Sequence, residues 1–404
     1  MISVRRNFYG SLTLTRTAFE RIRYSHFGLG KEPFKMRRKT DVYAVIMAGG
    51  GGTRFWPWSR AKQPKQVLPI LSSQSMIRET VERIRPLVPR EKILIVTSRS
   101  QAGKLHKEVP QIPRRNLLLE PSGKNTAPCL CLAAMAVERV SPQAVMIALP
   151  ADHHIGKQKE FLGTLRRAVE FASRGNFLLT LGITPTGPET GYGYIRKGEI
   201  LSRVKGTRIF KAKAFREKPT LRKAKGYLRR GDYLWNSGMF VWRVEAFLKA
   251  VETFLPQVHH PMKQLKSSFG MRGGAKVLEK VYSQCPSISV DYGIMEKAKN
   301  VALIESRFGW SDVGSWSVLW NLWPKDQKGN VHLQGGKKPA NKILAIDSSG
   351  CIIRGEKNLI AVLGLKDIVV AEAGEAILVC PRHRSQDVRW VLEALKERGW
   401  KQYL

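Results

Sequence analysis

Short apolar runs alternate with segments of helical periodicity between about residues 42 and 181. Val42–Met47 is an apolar run that ends in glycines, which indicates a buried strand. Ile77, Val81, Ile84 and Val88 recur at the spacing of one helix face. The alternation continues with predicted strands at Ile93–Thr97, Leu117–Leu119, Val145–Leu149 and Phe177–Leu181 and predicted helices at Thr126–Val140 and Glu160–Ala172. Strands that alternate with helices predict βαβ units and a mostly parallel sheet covered on both faces.

The pattern changes after about Asn341. Short apolar strands now follow one another at roughly ten-residue spacing, with turn residues between them. They are predicted at Ile343–Ile346, Cys351–Ile353, Leu359–Leu363, Ile368–Ala371 and Ala376–Cys380, and one helix is predicted at Ser385–Arg398. This pattern predicts a small β-rich C-terminal unit, a few coils of a β-solenoid, that ends in a helix.

Composition confirms a folded protein and adds a large positive charge. The 404 residues are 43% hydrophobic and 25% charged, which excludes wholesale disorder. Five Cys without a Cys-x-x-Cys pair exclude a disulfide framework and a zinc ribbon, and no apolar run reaches the length of a membrane span. The net charge of +37 predicts an anionic partner. Residues 1–40 carry ten Lys or Arg against two Glu, which predicts a basic, disordered N-terminal extension.

The most specific motif follows the first predicted strand. Ala48-Gly-Gly-Gly-Gly-Thr-Arg-Phe-Trp-Pro57 is followed by Ser59-Arg60 and by Pro64-Lys65-Gln66. Glycines after a strand let the backbone approach a polyphosphate closely, and Arg54 and Lys65 would add positive charge on the same ligand. The spacing fits neither the dinucleotide-binding fingerprint nor the P-loop.

Gly49–Gln66 resembles the signature of sugar-nucleotide pyrophosphorylases, and the Phe-Trp-Pro after Thr53-Arg54 resembles their mannose-1-phosphate guanylyltransferase branch. Further family motifs follow in the family's order: Glu120-Pro121, Asn125–Pro128, Leu149–His153, Gly191–Ile195, Phe215–Pro219, Trp235–Phe240, Val290–Lys297 and Gly309–Trp316. The resemblance implies the short, monofunctional bacterial type. It implies an α/β fold with a Rossmann-like nucleotide-diphospho-sugar transferase domain over residues 41–335, followed by a β-helix-like domain over residues 336–404.

The resemblance also implies three groups of site residues. The nucleotide would be bound by Gly49, Gly50, Gly52, Thr53, Asn125 and Asp152, and catalysis would depend on Arg54, Lys65 and Asp152. Asp152 and Asp312 would hold Mg²⁺ or Mn²⁺, which takes its remaining ligands from water and substrate phosphates. The sugar phosphate would be bound by Gly193, Glu217, Lys218, Asn236 and Asp291.

Two positions in this part of the sequence have a further interpretation. Asn125 is also a candidate N-cap for the helix Thr126–Val140. Lys124 stands where the family usually has Arg, and Lys lacks the planar, bidentate geometry of a guanidinium.

The implied reaction joins mannose 1-phosphate to GTP, which yields GDP-mannose and releases pyrophosphate. Two alternatives stay open: a sister nucleotidyltransferase with another nucleotide or hexose, and a basic nucleic-acid-binding protein whose best feature is Arg208–Arg230. That block lies over the sugar-phosphate motif and matches no nucleic-acid module, so no specific nucleic-acid partner is expected. A further isomerase domain is not expected, because the chain ends at Leu404. We expect a cytoplasmic protein without a membrane span, and a homodimer is possible.

Overall fold

The computed structural model describes residues 40–267, 273–334 and 342–404. The predicted N-terminal extension, residues 1–40, lies outside these residues except for Thr40. Within them, the first half of the chain forms β1 (Val42–Met47), α1 (Met76–Ile84), β2 (Ile93–Ser98), α2 (Ala102–Glu108), β3 (Leu117–Glu120), α3 (Thr126–Val140), β4 (Val145–Pro150), β5 (His154–Ile155), α4 (Gln158–Ala172), β6 (Leu178–Ile183), β7 (Tyr194–Val204) and β8 (Thr207–Arg216).

The second half contributes the rest of the sheet, a helical layer and the C-terminal strands. Its elements are α5 (Leu221–Arg230), β9 (Tyr233–Arg243), α6 (Val244–Phe254), α7 (Pro256–Lys263), α8 (Gly274–Gln284), β10 (Val301–Ser306), β11 (Trp310–Ser311), α9 (Trp316–Leu322), β12 (Val331–Gln334), β13 (Ile343–Ile346), β14 (Ile352–Gly355), β15 (Ile360–Leu363), β16 (Ile368–Ala373), β17 (Ala376–Pro381) and α10 (Val388–Glu397). The described part of the chain contains no helix long and apolar enough to cross a bilayer.

The central sheet confirms the predicted α/β fold. Its strand order is β3-β2-β1-β4-β9-β6-β10-β8-β7. The register places β9 antiparallel to β4 and β6, and β8 antiparallel to β10 and β7. The other described strands of the sheet therefore run in one direction, so it is mostly parallel. Strand β9 comes late in sequence and inserts between two strands of the parallel set, a feature that local sequence patterns do not reveal.

Helices cover both faces of this sheet because successive strand side chains point to opposite sides. In β1, Val45 packs on the face covered by α3, α6, α7 and α8, while Ala44 and Ile46 pack against α1, α2 and α4. All three side chains are fully buried. The carboxyl ends of β1 and β4 thereby lie side by side, which is where open α/β sheets bind ligands.

The C-terminal strands confirm the predicted β-helix-like unit. Strands β12, β14 and β16 pair in parallel and form one wall, and β13 pairs in parallel with β15. Strand β17 ends the first wall in an antiparallel pairing. Since Val331–Gln334 pairs within this unit, the structure assigns to it four residues that the domain limit at 335 assigned to the first domain. The predicted C-terminal helix begins later, at Val388, after a 3₁₀ turn over Arg382–Asp387.

Candidate active site

The glycine-rich loop after β1 is held in place by side chains of its own motif. Gln66 Nε2 donates hydrogen bonds to the carbonyl oxygens of Ala48 at 2.8 Å and Gly50 at 2.9 Å. Ser59 Oγ donates to the carbonyl of Gly52 at 2.6 Å. Gly52 has a φ of 57°, and a Cβ there would lie 2.2 Å from the Cβ of Lys65. Only glycine fits this close approach, which brings the loop against the lysine.

Lys65 lies between the two aspartates that were predicted to hold metal, and it contacts the carboxylate of one and the backbone carbonyl of the other. Its Nζ lies 2.9 Å from Asp152 Oδ2 and donates to the backbone carbonyl of Asp312 at 2.7 Å. Asp152 follows β4, whereas Asp312 follows β11, and the pairing of β5 with β11 brings the two segments together. Arg54 and Thr53 line the same cleft of about 280 Å³. The structure thus gathers residues that lie up to about 260 positions apart in sequence.

Two neighbours tune this part of the cleft. Burial disfavours the charged form of Asp152, but the charge of Lys65, joined by that of His153 when the imidazole is protonated at low pH, outweighs it and holds the pKa of that carboxyl below its ordinary value. Burial lowers the pKa of His153, although the two carboxylates oppose the shift. Trp310 Nε1 donates to His153 Nδ1 at 3.1 Å, as expected for a neutral imidazole. At neutral pH the cleft therefore presents an ionised Asp152 beside an uncharged His153.

The predicted sugar-phosphate residues form a second cluster. The backbone N–H of Asn236 donates to the carbonyl of Gly193 at 2.8 Å, and Asn236 Nδ2 donates to Asp291 Oδ1 at 2.7 Å. A Cβ on Gly193 would lie 2.3 Å from Glu217 Oε2. Lys218 Nζ stands 3.9 Å from Glu217 Oε1 and is more than half exposed. All five predicted residues of this group are brought together.

The pKa values of two carboxyl groups in the second cluster, Glu217 and Asp291, are raised. Burial and the charge of Asp291 raise the pKa of Glu217 to about 7, with Glu296 adding to the shift and Lys218 opposing it. Burial also raises the pKa of Asp291, although the hydrogen bond from Asn236 opposes the shift. Glu217 Oε2 is buried and makes no hydrogen bond within the described residues. A buried carboxylate oxygen of this kind is suited to accept a hydrogen bond from a hydroxyl group of a ligand.

Tyr192 connects the two clusters. Its hydroxyl donates to Asp312 Oδ1 at 2.7 Å, and the next residue, Gly193, lies against Glu217 and Asn236. Burial and the negative charge of Asp312 raise the pKa of the Tyr192 phenol, so it stays protonated and remains a donor. The cluster around Lys65 and the cluster around Glu217 therefore belong to one continuous site.

The remaining predicted residues lie on the glycine-rich loop and at the start of α3. Asn125 has a φ of 67°, and its side chain accepts the Thr126 N–H at 2.8 Å, which confirms the predicted cap of α3. A Cβ on Gly49 would meet Glu120 Oε2 at 2.8 Å, so the loop also passes closely over this buried carboxyl. Glu120 accepts a hydrogen bond from Tyr282, and burial raises its pKa. Contact of Gly49, Gly50, Gly52, Thr53 and Asn125 with a nucleotide stays a prediction.

Comparison with known proteins gives a consistent family. The Nucleotidyl transferase family model matches residues 43–329, and the MannoseP isomerase/GMP-like beta-helix domain model matches residues 341–395. A mannose-1-phosphate guanylyltransferase of Escherichia coli is 35% identical over 90% of this chain and 78% of its own length. One from Salmonella typhimurium is 36% identical over 90% of this chain and 75% of its own length. This chain belongs to the mannose-1-phosphate guanylyltransferase family.

A solved structure agrees with this assignment. It is described as a mannose-1-phosphate geranyltransferase from Thermus thermophilus, and it is 35% identical to this chain with a TM-score of 0.79. The similarity covers 88% of this chain and all of that one, so it includes both the sheet and the C-terminal unit.

In this member of the guanylyltransferase family, the C-terminal unit contacts the segment Trp56–Arg60, which follows the glycine-rich loop. Trp56 Nε1 donates to the backbone carbonyl of Tyr403 at 2.7 Å, and Arg60 Nη2 donates to the carbonyl of Ala373 at 2.7 Å. The guanidinium of Arg354 stacks over the Trp58 ring at 4.4 Å. The Trp-Pro-Trp segment is therefore an interface with the C-terminal unit, and its side chains stabilise the loop rather than line the cleft.

The structure adds residues to which the sequence analysis gave no role. Gln66 and Ser59 hold the loop, Tyr192 orients Asp312, and His153 lies in the cleft. These four lie within the quoted motifs, so a motif marked their positions but not their contacts. Glu120 also lies in a quoted motif, and only the close approach of Gly49 shows its place.

Proposed function

We propose that this chain converts mannose 1-phosphate and GTP into GDP-mannose and pyrophosphate. The observation that carries the proposal is the union of two clusters: Lys65 with Asp152 and Asp312, and Glu217 with Asn236, linked through Tyr192. A cleft that holds Arg54 and Lys65 together with two carboxylates, next to a cluster of sugar-binding side chains, fits a nucleoside triphosphate meeting a sugar phosphate.

The residues fit a divalent cation. Lys65 Nζ, itself a cation, contacts a carboxylate oxygen of Asp152 and the backbone carbonyl of Asp312, so these oxygen atoms attract positive charge. Carboxylate oxygens are the ligands that Mg²⁺ prefers, and two of them leave room for water and phosphate ligands. Bound there, Mg²⁺ or Mn²⁺ would supply charge stabilisation at the α-phosphate.

The reaction forms one phosphorus–oxygen bond and breaks another. A phosphate oxygen of mannose 1-phosphate attacks the α-phosphorus of GTP, and the bond to the bridging oxygen of the β-phosphate breaks in line. The nucleophile is already ionised, so no general base is required, and catalysis consists of positioning and charge stabilisation. Arg54 and Lys65 stabilise the departing pyrophosphate, and Lys218 holds the attacking phosphate. Glu217 and Asn236 accept and donate hydrogen bonds at the sugar hydroxyls.

A substrate panel on the purified full chain tests the proposal. Four nucleoside triphosphates are combined with mannose 1-phosphate or glucose 1-phosphate, and pyrophosphate release is measured with Mg²⁺ present. We expect GTP with mannose 1-phosphate to give the highest kcat/KM. Preference for another pair would instead indicate the sister nucleotidyltransferase of the sequence analysis.

Asp152→Ala is the matched variant for the same panel. We expect a loss of several orders of magnitude in kcat with the fold intact, because the variant removes a carboxylate from the reacting centre. Full turnover by folded Asp152→Ala protein would refute the assignment. Homodimerisation and a cytoplasmic location stay predictions, which light scattering and cell fractionation can measure.

A further inference from the structure

A second cavity lies outside the proposed active site. It has a volume of about 590 Å³ and is formed by α4, the turn between β7 and β8, and the end of β10. We call it the basic pocket, and its charged lining residues are Lys159, Arg167, Arg208, Arg307, Glu160 and Glu305. It shares no lining residue with the cleft that contains Lys65 and Asp152. The motifs of the proposed reaction do not account for it.

The charge in the basic pocket is only partly compensated. Its two carboxylates already have cationic partners: Glu160 lies 3.3 Å from Lys157, and Glu305 lies 3.3 Å from Lys197 and 3.4 Å from Arg307. Within the described residues, the other three cations of the lining make no ion pair; they are Lys159, Arg167 and Arg208. Uncompensated cations around one concavity attract an anion.

Arg167 has an N–H group, unpaired within the described part of the chain, that a ligand could use, and it lies beside a glycine in α4. Gly163 occupies the interior of α4, where glycine is less favourable than alanine. A Cβ at this position would lie 3.3 Å from Arg167 Nη1, so the missing side chain makes room for the guanidinium beside the helix. Arg167 Nε is buried and makes no hydrogen bond within the described residues. A buried guanidinium N–H without a partner is unfavourable unless a ligand accepts from it.

The cations come from three different elements around the pocket. Lys159 and Arg167 belong to α4, whereas Arg208 lies at the start of β8, where it also packs 5.4 Å over the Phe210 ring, and Arg307 follows β10. A cavity of about 590 Å³ leaves room for more than one phosphate group. A ligand with two linked phosphates can therefore contact cations of more than one element, and Arg is well suited to bind phosphate oxygens.

We propose that the basic pocket binds a small molecule that carries a diphosphate, at a site separate from the catalytic cleft. The proposal does not depend on the proposed function. The two sites are nonetheless connected through the fold. The Lys157 N–H, just before α4, donates to the carbonyl of Phe308 at 2.9 Å. From there β5 and β11 run as a pair toward Asp152 and Asp312.

The test follows hydrogen–deuterium exchange of the full chain with increasing inorganic pyrophosphate at constant ionic strength. We expect protection of residues 158–168 and 204–210, which line the basic pocket. Arg167→Gln with Arg208→Gln should remove this protection or raise its apparent Kd at least tenfold. Protection of loop residues 49–55 reports separately on the proposed catalytic cleft, so failure of one site is distinguishable from failure of the other.

Arg166→Gln with Arg203→Gln is the matched control. These two arginines are exposed, lie on α4 and β7, and do not line the pocket, so the control removes the same charge from the same region. It should bind like the wild type. Absence of protection in the wild type, equal protection in the double pocket variant, or equal loss in the control would each overturn the proposal. If the double pocket variant fails to fold, Arg208→Gln alone carries the test, since that side chain is exposed.

Discussion

Gly193→Ala tests the sugar cluster with one added methyl group. The new Cβ would lie 2.3 Å from Glu217 Oε2 and 3.1 Å from the Cβ of Asn236, far closer than atoms pack. The backbone of Gly193 is not in the left-handed region, so alanine adds no conformational strain of its own. Its whole effect is therefore the displacement of Glu217 and Asn236.

The size of the effect follows from how little these neighbours can move. To restore an ordinary contact, the Glu217 carboxylate must retreat by roughly 1 Å, but its side chain is only 12% exposed. The Glu217 backbone N–H is held by Glu296 Oε1 at 2.8 Å, and Asn236 is held by Asp291. Inserting a methyl group into such packing costs about 1–3 kcal/mol. If the bound geometry bears this cost, it corresponds to about a fivefold to 150-fold loss of affinity for the ligand that the cluster binds.

The assay separates the two substrates. We expect Gly193→Ala to raise KM for mannose 1-phosphate by about fivefold to 150-fold, whereas KM for GTP changes little. Gly191→Ala is the matched control, because a Cβ on Gly191 meets no atom within 4 Å. Unchanged KM for mannose 1-phosphate in folded Gly193→Ala protein would refute the reasoning, and so would an equal loss in Gly191→Ala.

Three further predictions concern charge, the loop and the metal. The pKa of Glu217 is raised to about 7 in the folded protein, so the stability that its protonated form contributes is fully present below about pH 4.5 and is lost as pH rises through 7. Glu217→Gln cannot ionise, so its free energy of unfolding in urea should exceed that of the wild type by up to about 3 kcal/mol at pH 8 and by little at pH 4.5. An equal gain at both pH values would contradict this. Trp56→Phe removes the hydrogen bond to Tyr403 and should lower the free energy of unfolding by about 0.5–1.5 kcal/mol; unchanged urea unfolding would contradict it. Chelation by EDTA should abolish pyrophosphate release and added Mg²⁺ should restore it, whereas turnover that persists in EDTA would exclude a metal at Asp152 and Asp312.

The parts of the fold that were predictable have strong local signals. Strand β1 and helix α3 have the predicted bounds, the first because a continuous apolar run ends at glycines and the second because Asn125 caps it. Strand β8 had no such signal, since its sequence Thr-Arg-Ile-Phe-Lys-Ala-Lys-Ala-Phe-Arg overlaps the basic block. The insertion of β9 between β4 and β6 is decided by tertiary pairing, to which no local pattern responds.

The candidate site shows the same division. Motifs identified its residues, yet the contacts between motifs depend on the fold. Tyr192 and Asp312 are 120 positions apart, and no spacing rule joins them. The resemblance also did not reveal that Trp56 and Arg60 face the C-terminal unit, because a motif records which residues recur and not what they touch. The C-terminal unit thus enters the catalytic argument only through the structure.

The contacts of Lys65 change the proposed mechanism as well as the description of the site. The sequence analysis gave it one contact, as positive charge on the polyphosphate. In the structure Lys65 is only 4% exposed, and its ammonium lies on Asp152. Burial would raise the pKa of Asp152, and the charge of Lys65 is the largest influence that opposes this. Lys65 therefore keeps Asp152 ionised, and in the proposed reaction its ammonium would contact the polyphosphate while Asp152 would hold the metal. Replacement of Lys65 would remove a contact to the leaving group and would also weaken Asp152 as a metal ligand. The loss of activity should therefore exceed the loss on replacement of a residue that contacts pyrophosphate only.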